Sequence, residues 1–253
     1  MIFYPLASGS TGNACLIVEN DTAILIDAGI GPRIMAKRML PFGIGLADLS
    51  ACFLTHEHSD HIHALSSVTF PKTLPLVSNI ATWEAVCRQI PQAEEHPFRQ
   101  LATQAVISIG DLTLQSLPTS HDGVESVGYL VYGKNGESLL FVTDLGVPSS
   151  WLPEALKIAD HVVLEANHDI EMLKTGPYPW FLKQRVAGEL GHLSNLQTGM
   201  ILSENLTSRT QSLVLAHLSR TNNRPELAVR TVREMLATSN TNLEHLRIMA
   251  ALP

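Results

Sequence analysis

Cysteine is scarce in this chain of 253 residues: Cys15, Cys52 and Cys87 are all there is, and no C-x-x-C spacing joins them. An odd, unpatterned set argues against a disulfide framework or a structural zinc ribbon, so we expect reduced and mostly buried thiols. No Lys or Arg precedes Arg33, so the basic start of a secretory signal is missing, and no window approaches the ~18 apolar residues that a membrane span requires. We therefore expect a cytoplasmic protein without a membrane partner. Nor is any Pro/Gly/Ser-rich or charge-rich stretch long enough for a linker, which predicts one domain over residues 1–253. Positive charge is in deficit, with 17 Lys and Arg against 24 Asp and Glu for a formal charge of −7. That balance disfavours coating nucleic acid with the whole surface and leaves room for a local basic patch.

Apolar residues are plentiful at 45%, enough at this length to bury roughly 70–75% of the unfolded surface. Alternating or continuous apolar runs predict an opening meander of strands at Met1–Leu6, Ala14–Glu19 and Ala23–Asp27. A helix follows from Pro32 to Leu40, then a strand at Ala51–Leu54, a short strand at Leu76–Val77 and a helix over Asn79–Gln89. Further strands are expected at Gln104–Ile109, Leu112–Leu117, Ser126–Tyr132 and Ser138–Val142, with hairpin turns at Gly110-Asp111 and Asn135-Gly136. The last third predicts helices around Ser150–Ile158, Pro179–Glu189, Asn195–Asn205 and Pro225–Ala237, and buried strands at His161–Leu164 and Ser212–Ala216. Strands then helices, twice over, predict an α/β (α+β) protein of two similar halves packed as a four-layer αββα sandwich. No sequence repeat links the halves.

Histidine is the unusual residue, with 11 in the chain and three of them between His56 and His61. In His56-x-His58-x-Asp60-His61, residues two apart on an extended segment point the same way. His56 and His58 can then grip one ion, while Asp60 and His61, past the bend, grip a second. Imidazole nitrogens suit a borderline ion such as zinc at ~2.0–2.1 Å, and a carboxylate adds charge while leaving room for water. The alternative is a His-rich surface loop, but the tract leaves a buried-strand pattern. His121, Asp144 and His217 each end a later strand-like run, where a site at the rim of a sheet would collect them. Singly, any of these could be a cap or turn residue.

The H-x-H-x-D-H tract resembles the signature of the metallo-β-lactamase superfold family. With Leu6-Ala-Ser-Gly-Ser-Thr-Gly-Asn13, Leu25-Ile-Asp27-Ala-Gly29 and Ala216-His-Leu-Ser-Arg-Thr-Asn-Asn-Arg-Pro225, the chain looks like the bacterial YycJ (WalJ) branch. That resemblance implies a DNA exonuclease with His56, His58 and His121 on one metal, Asp60, His61 and His217 on the other, and Asp144 bridging both. Glu165-Ala166 and Gly191-His192-Leu-Ser194 are similar to the Glu–His pair of ribonuclease Z, which implies a carboxylate orienting an imidazole at the leaving oxygen. Alternatively Glu165 makes a surface ion pair, Ser194 merely caps the next helix and His192 is incidental. His168 is expected at or outside the edge of the site, and His63 on a helix face. Nothing resembles a tRNA-gripping arm or an inserted β-CASP domain, which argues against tRNA 3′-processing and mRNA cleavage.

The expected chemistry is two-metal hydrolysis with two divalent ions, zinc first and Mn2+ or Fe2+ as substitutes, Asp60 orienting the nucleophile and His192, held by Glu165, protonating the leaving group. A nucleic-acid phosphodiester, DNA above RNA, is the favoured electrophile. A small lactam, lactone or thioester is the hydrolytic alternative, and a metal-binding protein without turnover the non-enzymatic one. Residues 209–233 carry Arg209, Arg220, Arg224, Arg230 and Arg233 against Glu226. Arg220 and Arg224, flanking Asn222 and Asn223, are expected to overhang the metals as substrate-binding residues, because a guanidinium fork matches phosphate oxygens. The loop Ser8 to Asn13 lacks a P-loop lysine, so Asn13 and its glycines are read as a floor for the site and a phosphate contact.

Overall fold

In the computed structural model, which describes residues 1–251, successive strands fill two sheets in unbroken chain order. The first sheet comprises β1 (Ile2–Ala7), β2 (Ala14–Glu19), β3 (Thr22–Ile26), β4 (Ala51–Phe53), β5 (Leu76–Ser78) and β6 (Phe98–Gln100). The second comprises β7 (Val106–Ile109), β8 (Leu112–Pro118), β9 (Val127–Gly133), β10 (Ser138–Val142), β11 (His161–Glu165), β12 (Ser212–Ala216) and β13 (Arg247–Ala250). Each sheet opens as an antiparallel meander and continues in parallel, β3 to β6 in the first and β10 to β13 in the second. Parallel neighbours need crossovers. Those crossovers carry all eight α-helices of the described residues, which are α1 (Pro32–Met39), α2 (Ser59–Ile62), α3 (Ile80–Gln89), α4 (Leu152–Ile158), α5 (Ile170–Thr175), α6 (Trp180–Val186), α7 (Asn195–Asn205) and α8 (Pro225–Leu236).

Side-chain alternation along the strands produces the layers. Successive residues of a strand face opposite sides, and here both sides are apolar. Ile24, Ile26, Ala51 and Phe53 join Leu139, Phe141, Val163 and Val214 in a core between the two sheets. Their neighbours Leu25, Cys52 and Leu54 face outward against Met35 and Met39 of α1 and Val86 of α3. On the other side, Leu140, Val142, Leu164 and Leu215 meet Leu156 of α4, Leu202 of α7 and Val232 of α8. Helix, sheet, sheet and helix thus stack in the expected αββα order, and the opening meander and both glycine hairpins, with Gly110 at φ 55° and Gly136 at φ 79°, are as the sequence predicted.

Some boundaries differ for local reasons. Gln104 takes a left-handed φ of 68°, so the strand expected from there begins only at Val106. The helix expected to reach Glu189 stops at Val186, where the chain turns back and His192 N–H bonds the Val186 carbonyl at 2.9 Å. β6 and β13 are additional: both are short edge strands whose side chains are half-buried or exposed, β6 without an apolar run and β13 with only Ile248 to Ala250. Cys15 and Cys52 are buried, Cys87 is half-buried, and all are free thiols.

Tyr129 of β9 ties the sheets together. It is fully buried, packs edge-on to Phe53 at 5.6 Å and donates its hydroxyl to the Leu54 carbonyl of the opposite sheet at 2.6 Å. Tyr129→Phe should cost about 1 kcal/mol through the lost hydrogen bond, and Tyr129→Ala about 3–5 kcal/mol through the cavity it opens. Equilibrium urea denaturation of both variants measures the two steps.

Candidate active site

The parallel strands share one direction, so their C-terminal ends meet along one rim of the sandwich, and the chemistry sits there. Asp27 follows β3, Thr55 and His56 follow β4, His121 follows β8, Asp144 follows β10, Glu165 ends β11, and His217 follows β12. The tract between β4 and α2 supplies His58, Asp60 and His61. Asp27, Asp144 and His217 leave their strands with left-handed φ of 63°, 58° and 54°, a conformation uncommon for residues other than glycine. Three such positions at one rim turn side chains inward that a continuing strand would point elsewhere.

Each imidazole in the cluster is anchored through one ring nitrogen. His61 Nδ1 donates to Asp27 Oδ2 at 2.8 Å, and His217 Nδ1 to Glu165 Oε1 at 3.0 Å. His121 Nδ1 donates to the Gly191 carbonyl at 3.1 Å. The Thr55 hydroxyl lies 2.9 Å from Asp27 Oδ2, to which it donates, so His56 Nδ1 donates to that hydroxyl at 3.0 Å. His58 Nε2 lies 3.4 Å from Asp122, whose other oxygen accepts from Arg185 Nε at 2.7 Å. Such partners fix the tautomer and ring orientation and leave the second nitrogen with its lone pair. Those second nitrogens converge, His58 Nδ1 and His121 Nε2 lying 3.3 Å apart and His61 Nε2 lying 3.4 Å from Asp144 Oδ2.

Two groups of donor atoms result, His56 with His58 and His121, and Asp60 with His61 and His217, each with its ligand atoms within 4.8 Å of one another. Asp144 adjoins both, grouped with His56 and His61 through one set of contacts and with His217 through another. The donor set fits divalent cations by an independent sign: His56 Nε2, Asp144 Oδ2 and His217 Nε2 are buried without any hydrogen-bond partner. Orphaned acceptors of this kind cost about 1–3 kcal/mol each, a deficit that cations held by the two groups would remove.

Charge tells the same story. Burial lowers the pKa of His56 and of His121, which keeps both imidazoles neutral and able to ligate. Burial also opposes a charge on His61, but Asp144 and Asp27 outweigh it and push its pKa up to about 9. His217 is raised as well, with Asp144 the largest favourable influence against burial. Burial works against ionised Asp60, Asp144 and Glu165, yet the surrounding imidazoles, His217 first for Asp60 and Asp144 and His192 first for Glu165, hold all three below the usual carboxylate range. Ionised carboxylates therefore stand beside the neutral imidazoles of His56 and His121 at this rim, a donor set suited to cations.

A cavity of about 210 Å³ opens onto this cluster, with His58, Asp60, His121, Asp144, His192 and His217 in its wall. Glu165 is fully buried beneath it and also accepts from His192 Nδ1 at 2.7 Å, so one carboxylate oxygen holds both His192 and His217. The surface ion pair that was the alternative for Glu165 is thereby excluded, although Ser194 does cap α7 as well. His168 is buried and absent from the wall, its pKa lowered to about 4 by burial, and His63 is exposed.

The residues expected to touch substrate fare differently. Asn13 is buried and braces the site, its amide Nδ2 lying 3.2 Å from Asp60 Oδ2 and 3.0 Å from His61 Nε2. Asn222 and Asn223 are corrected from substrate contacts to buried loop braces. Asn223 donates to the Ala166 carbonyl at 2.9 Å and pairs with Asn195, while the Asn222 carbonyl accepts from Asp169 N–H. Arg220 and Arg224 are exposed, and neither contributes to the cavity wall they were expected to overhang. Arg209 is taken up by Asp160 at 2.9 Å, before the start of β11 and hence at the opposite rim. The arginine in the wall is Arg185. Sequence reading gave no site role to Asp27, Thr55, Asp122 or Arg185; an acid ending a buried strand and an acid beside His121 were the available signals.

The comparisons with known proteins fall into line with this geometry. Residues 22–218 match the family described as Beta-lactamase superfamily domain. The chain belongs to the metallo-β-lactamase superfamily. Within the superfamily it is 34% identical over 237 residues to the exodeoxyribonuclease YycJ of Bacillus anthracis, covering 92% of this chain and 88% of that one. Exodeoxyribonuclease WalJ of Streptococcus pneumoniae is also 34% identical, over 240 residues, with 93% and 88% covered. These matches place the chain in the YycJ/WalJ branch. Among solved structures, the metallo-β-lactamase fold protein YhfI of Bacillus subtilis superposes with a TM-score of 0.74 at 16% identity, over 99% of this chain and 97% of that one, which shows the shared fold. The chain is a hydrolase of the metallo-β-lactamase fold. No helix among the described residues is long and apolar enough to cross a membrane.

Gly29 is where the fold presses on this site. A Cβ built there would lie 1.7 Å from the Asp60 carbonyl oxygen and 2.6 Å from Asn13 N. Backbone cannot yield as a side chain can, so Gly29→Ala should destabilise by about 3 kcal/mol or more and displace Asp60. Gly31→Ser, with nothing within 4 Å and a favourable N-cap position on α1, should stay within about 0.5 kcal/mol of the parent. Denaturation midpoints of the pair check this.

Proposed function

We propose that this hydrolase cleaves phosphodiester bonds of nucleic acid, as an exonuclease acting on DNA, with two divalent metal ions and zinc as the first choice of metal. His56, His58 and His121 would hold one ion and Asp60, His61 and His217 the other, with Asp144 between them. The observation that carries the reading is the Glu165 carboxylate oxygen, shared between His217 at 3.0 Å and His192 at 2.7 Å, because it couples a ligand to an imidazole in the cavity wall. The relatives named exodeoxyribonucleases, similar over nearly their whole length, support nucleic acid as the substrate class.

When bound, the ions would supply Lewis acidity and water of lowered pKa. The chain's own residues do the rest. Asp60 Oδ2 lies 3.6 Å from both His61 Nε2 and His217 Nε2 and is reached by the Asn13 amide, so its carboxylate is fixed where it can orient a water and accept its proton. His192 gives Nδ1–H to Glu165, which leaves Nε2 to carry the proton for the departing oxygen. A carboxylate behind an imidazole stabilises the imidazolium needed for that transfer.

Reconstitution followed by elemental analysis should give about two ions per chain. A value near one that persists with excess zinc, manganese or iron and falls to zero in His58→Ala would leave a mononuclear site. The substrate class is tested with end-labelled single- and double-stranded DNA and RNA, beside bis-p-nitrophenyl phosphate, a thioester and a β-lactam. Clear lactam or thioester turnover without cleavage of any nucleic acid would refute it.

His192→Ala should keep both metals and slow nucleic-acid cleavage by about 10²–10⁴. Esters of p-nitrophenol need little protonation on leaving and should be spared most of that loss. An equal loss on both substrates would assign His192 a different role.

A further inference from the structure

The segment between α5 and His192 carries an arrangement that the hydrolytic machinery does not use. Trp180 and Phe181, side by side at the start of α6, are 72% and 71% exposed. Large aromatic side chains bury 150–250 Å² each when they pack, so two adjacent ones left in water are unusual. They lie between two residues of the cavity wall, Tyr178 and Leu182. Pro177 and Pro179 flank Tyr178 and restrict its backbone, and Val186 is the one buried residue of α6.

We propose that Tyr178, Trp180 and Phe181 form a stacking platform for unpaired bases of the strand whose phosphodiester enters the cavity, so that the preferred substrate is a single-stranded or frayed end. This inference rests on the proposed nuclease function and names the form of its substrate. Three features choose bases over another occupant. The platform is continuous with the catalytic cavity through Tyr178 and Leu182. At about 210 Å³ that cavity is small beside the ~300–1,000 Å³ of pockets that enclose a whole ligand, which leaves the rim as the place for bases attached to the bound phosphate. Cationic groups accompany the rings: Lys183 lies on the same helix, and Arg185 stands in the wall with its side chain 60% exposed, one nitrogen given to Asp122. Aromatic faces beside cationic groups are how proteins bind single strands without reading sequence, and a base inside a duplex has no free face to offer.

The test compares ordinary oligothymidylate with the same strand carrying abasic sites at its terminal nucleotides, on the metal-loaded parent and on Trp180→Ala/Phe181→Ala. In the parent, removing the bases should raise KM by about 5- to 100-fold, the worth of stacking one base. The double variant should lose a similar factor on the ordinary strand and little more on the abasic one, because bases and rings report one interaction. Trp180→Phe should recover most of the loss, which a folding defect would not allow. Equal KM for ordinary and abasic strands in the parent would overturn the platform while leaving phosphodiester hydrolysis standing. Unaltered KM in the double variant, with a dimer of the parent falling to monomer, would give the patch to a second copy of the chain. Failure to cleave or bind any nucleic acid, with bis-p-nitrophenyl phosphate still turned over, would remove the nuclease reading itself and the platform with it.

Discussion

A carboxylate shut away from water must find all its partners within the protein, and Glu165 does. Oε2 accepts from the backbone N–H groups of Leu145 and Leu193, and Oε1 takes His192 and His217, while its main-chain carbonyl takes the Thr198 hydroxyl. One residue thus fixes the loop after β10, the loop that presents His192, the first turn of α7 and the end of β12. Breaking a buried charge network from one side is among the costliest changes available, about 3–5 kcal/mol, because the remaining partners stay buried and unmatched. Asp27 repeats the arrangement in the first sheet, accepting from the Thr55 N–H, the Thr55 hydroxyl and His61. Each sheet therefore carries a buried acid that holds histidine.

Between these two acids the site is tight, yet one side of it is tethered to a more exposed element. His58 leans on Asp122, Asp122 is held by Arg185, and Arg185 stands on α6 beside Trp180 and Phe181. Arg185 is thus bound at one end to the residue that supports His58 while its side chain remains largely in solvent. The site has a rigid floor, built from strand ends, and a wall on a short helix with a single buried side chain.

What could be read from the sequence follows from how local each signal is. The continuous apolar runs Leu139 to Val142 and Leu213 to Ala216 mark strands with two apolar faces, and the order of strands and helices along the chain points to the layered sandwich. His56 to His61 announced themselves by crowding into six positions, and His121, Asp144 and His217 by ending apolar runs. Supporting residues had no such pattern. Asp27 and Asp122 look like ordinary strand-end acids until the fold brings His61 and His58 against them. Asn222 and Asn223 look exposed in a polar loop, but that loop turns inward, where the Asn223 amide donates to the Ala166 carbonyl and Asn222 engages through its main-chain carbonyl, its own side-chain amide being buried without a partner. β6 and β13 are hard to read because both are short edge strands that bury little: β6 has one apolar residue, and in β13 only Ile248 and Ala250 reach the core.

Each sheet is made from one continuous stretch of chain, but the site is not. Residues up to 100 complete the first sheet and supply His56, His58, Asp60 and His61, whereas His121, Asp144 and His217 arrive only with the second. During synthesis the first half would emerge with half a set of donors and with Ile24, Ile26 and Phe53 facing water, since their partners Phe141, Val163 and Val214 are not yet made. The nascent chain therefore passes through a stage with an uncovered apolar sheet, the kind of surface that draws chaperones or aggregates. Cations that engaged donors from both halves would fasten them together once both exist, and metal supply would then bear on how reliably newly made chains reach the folded state.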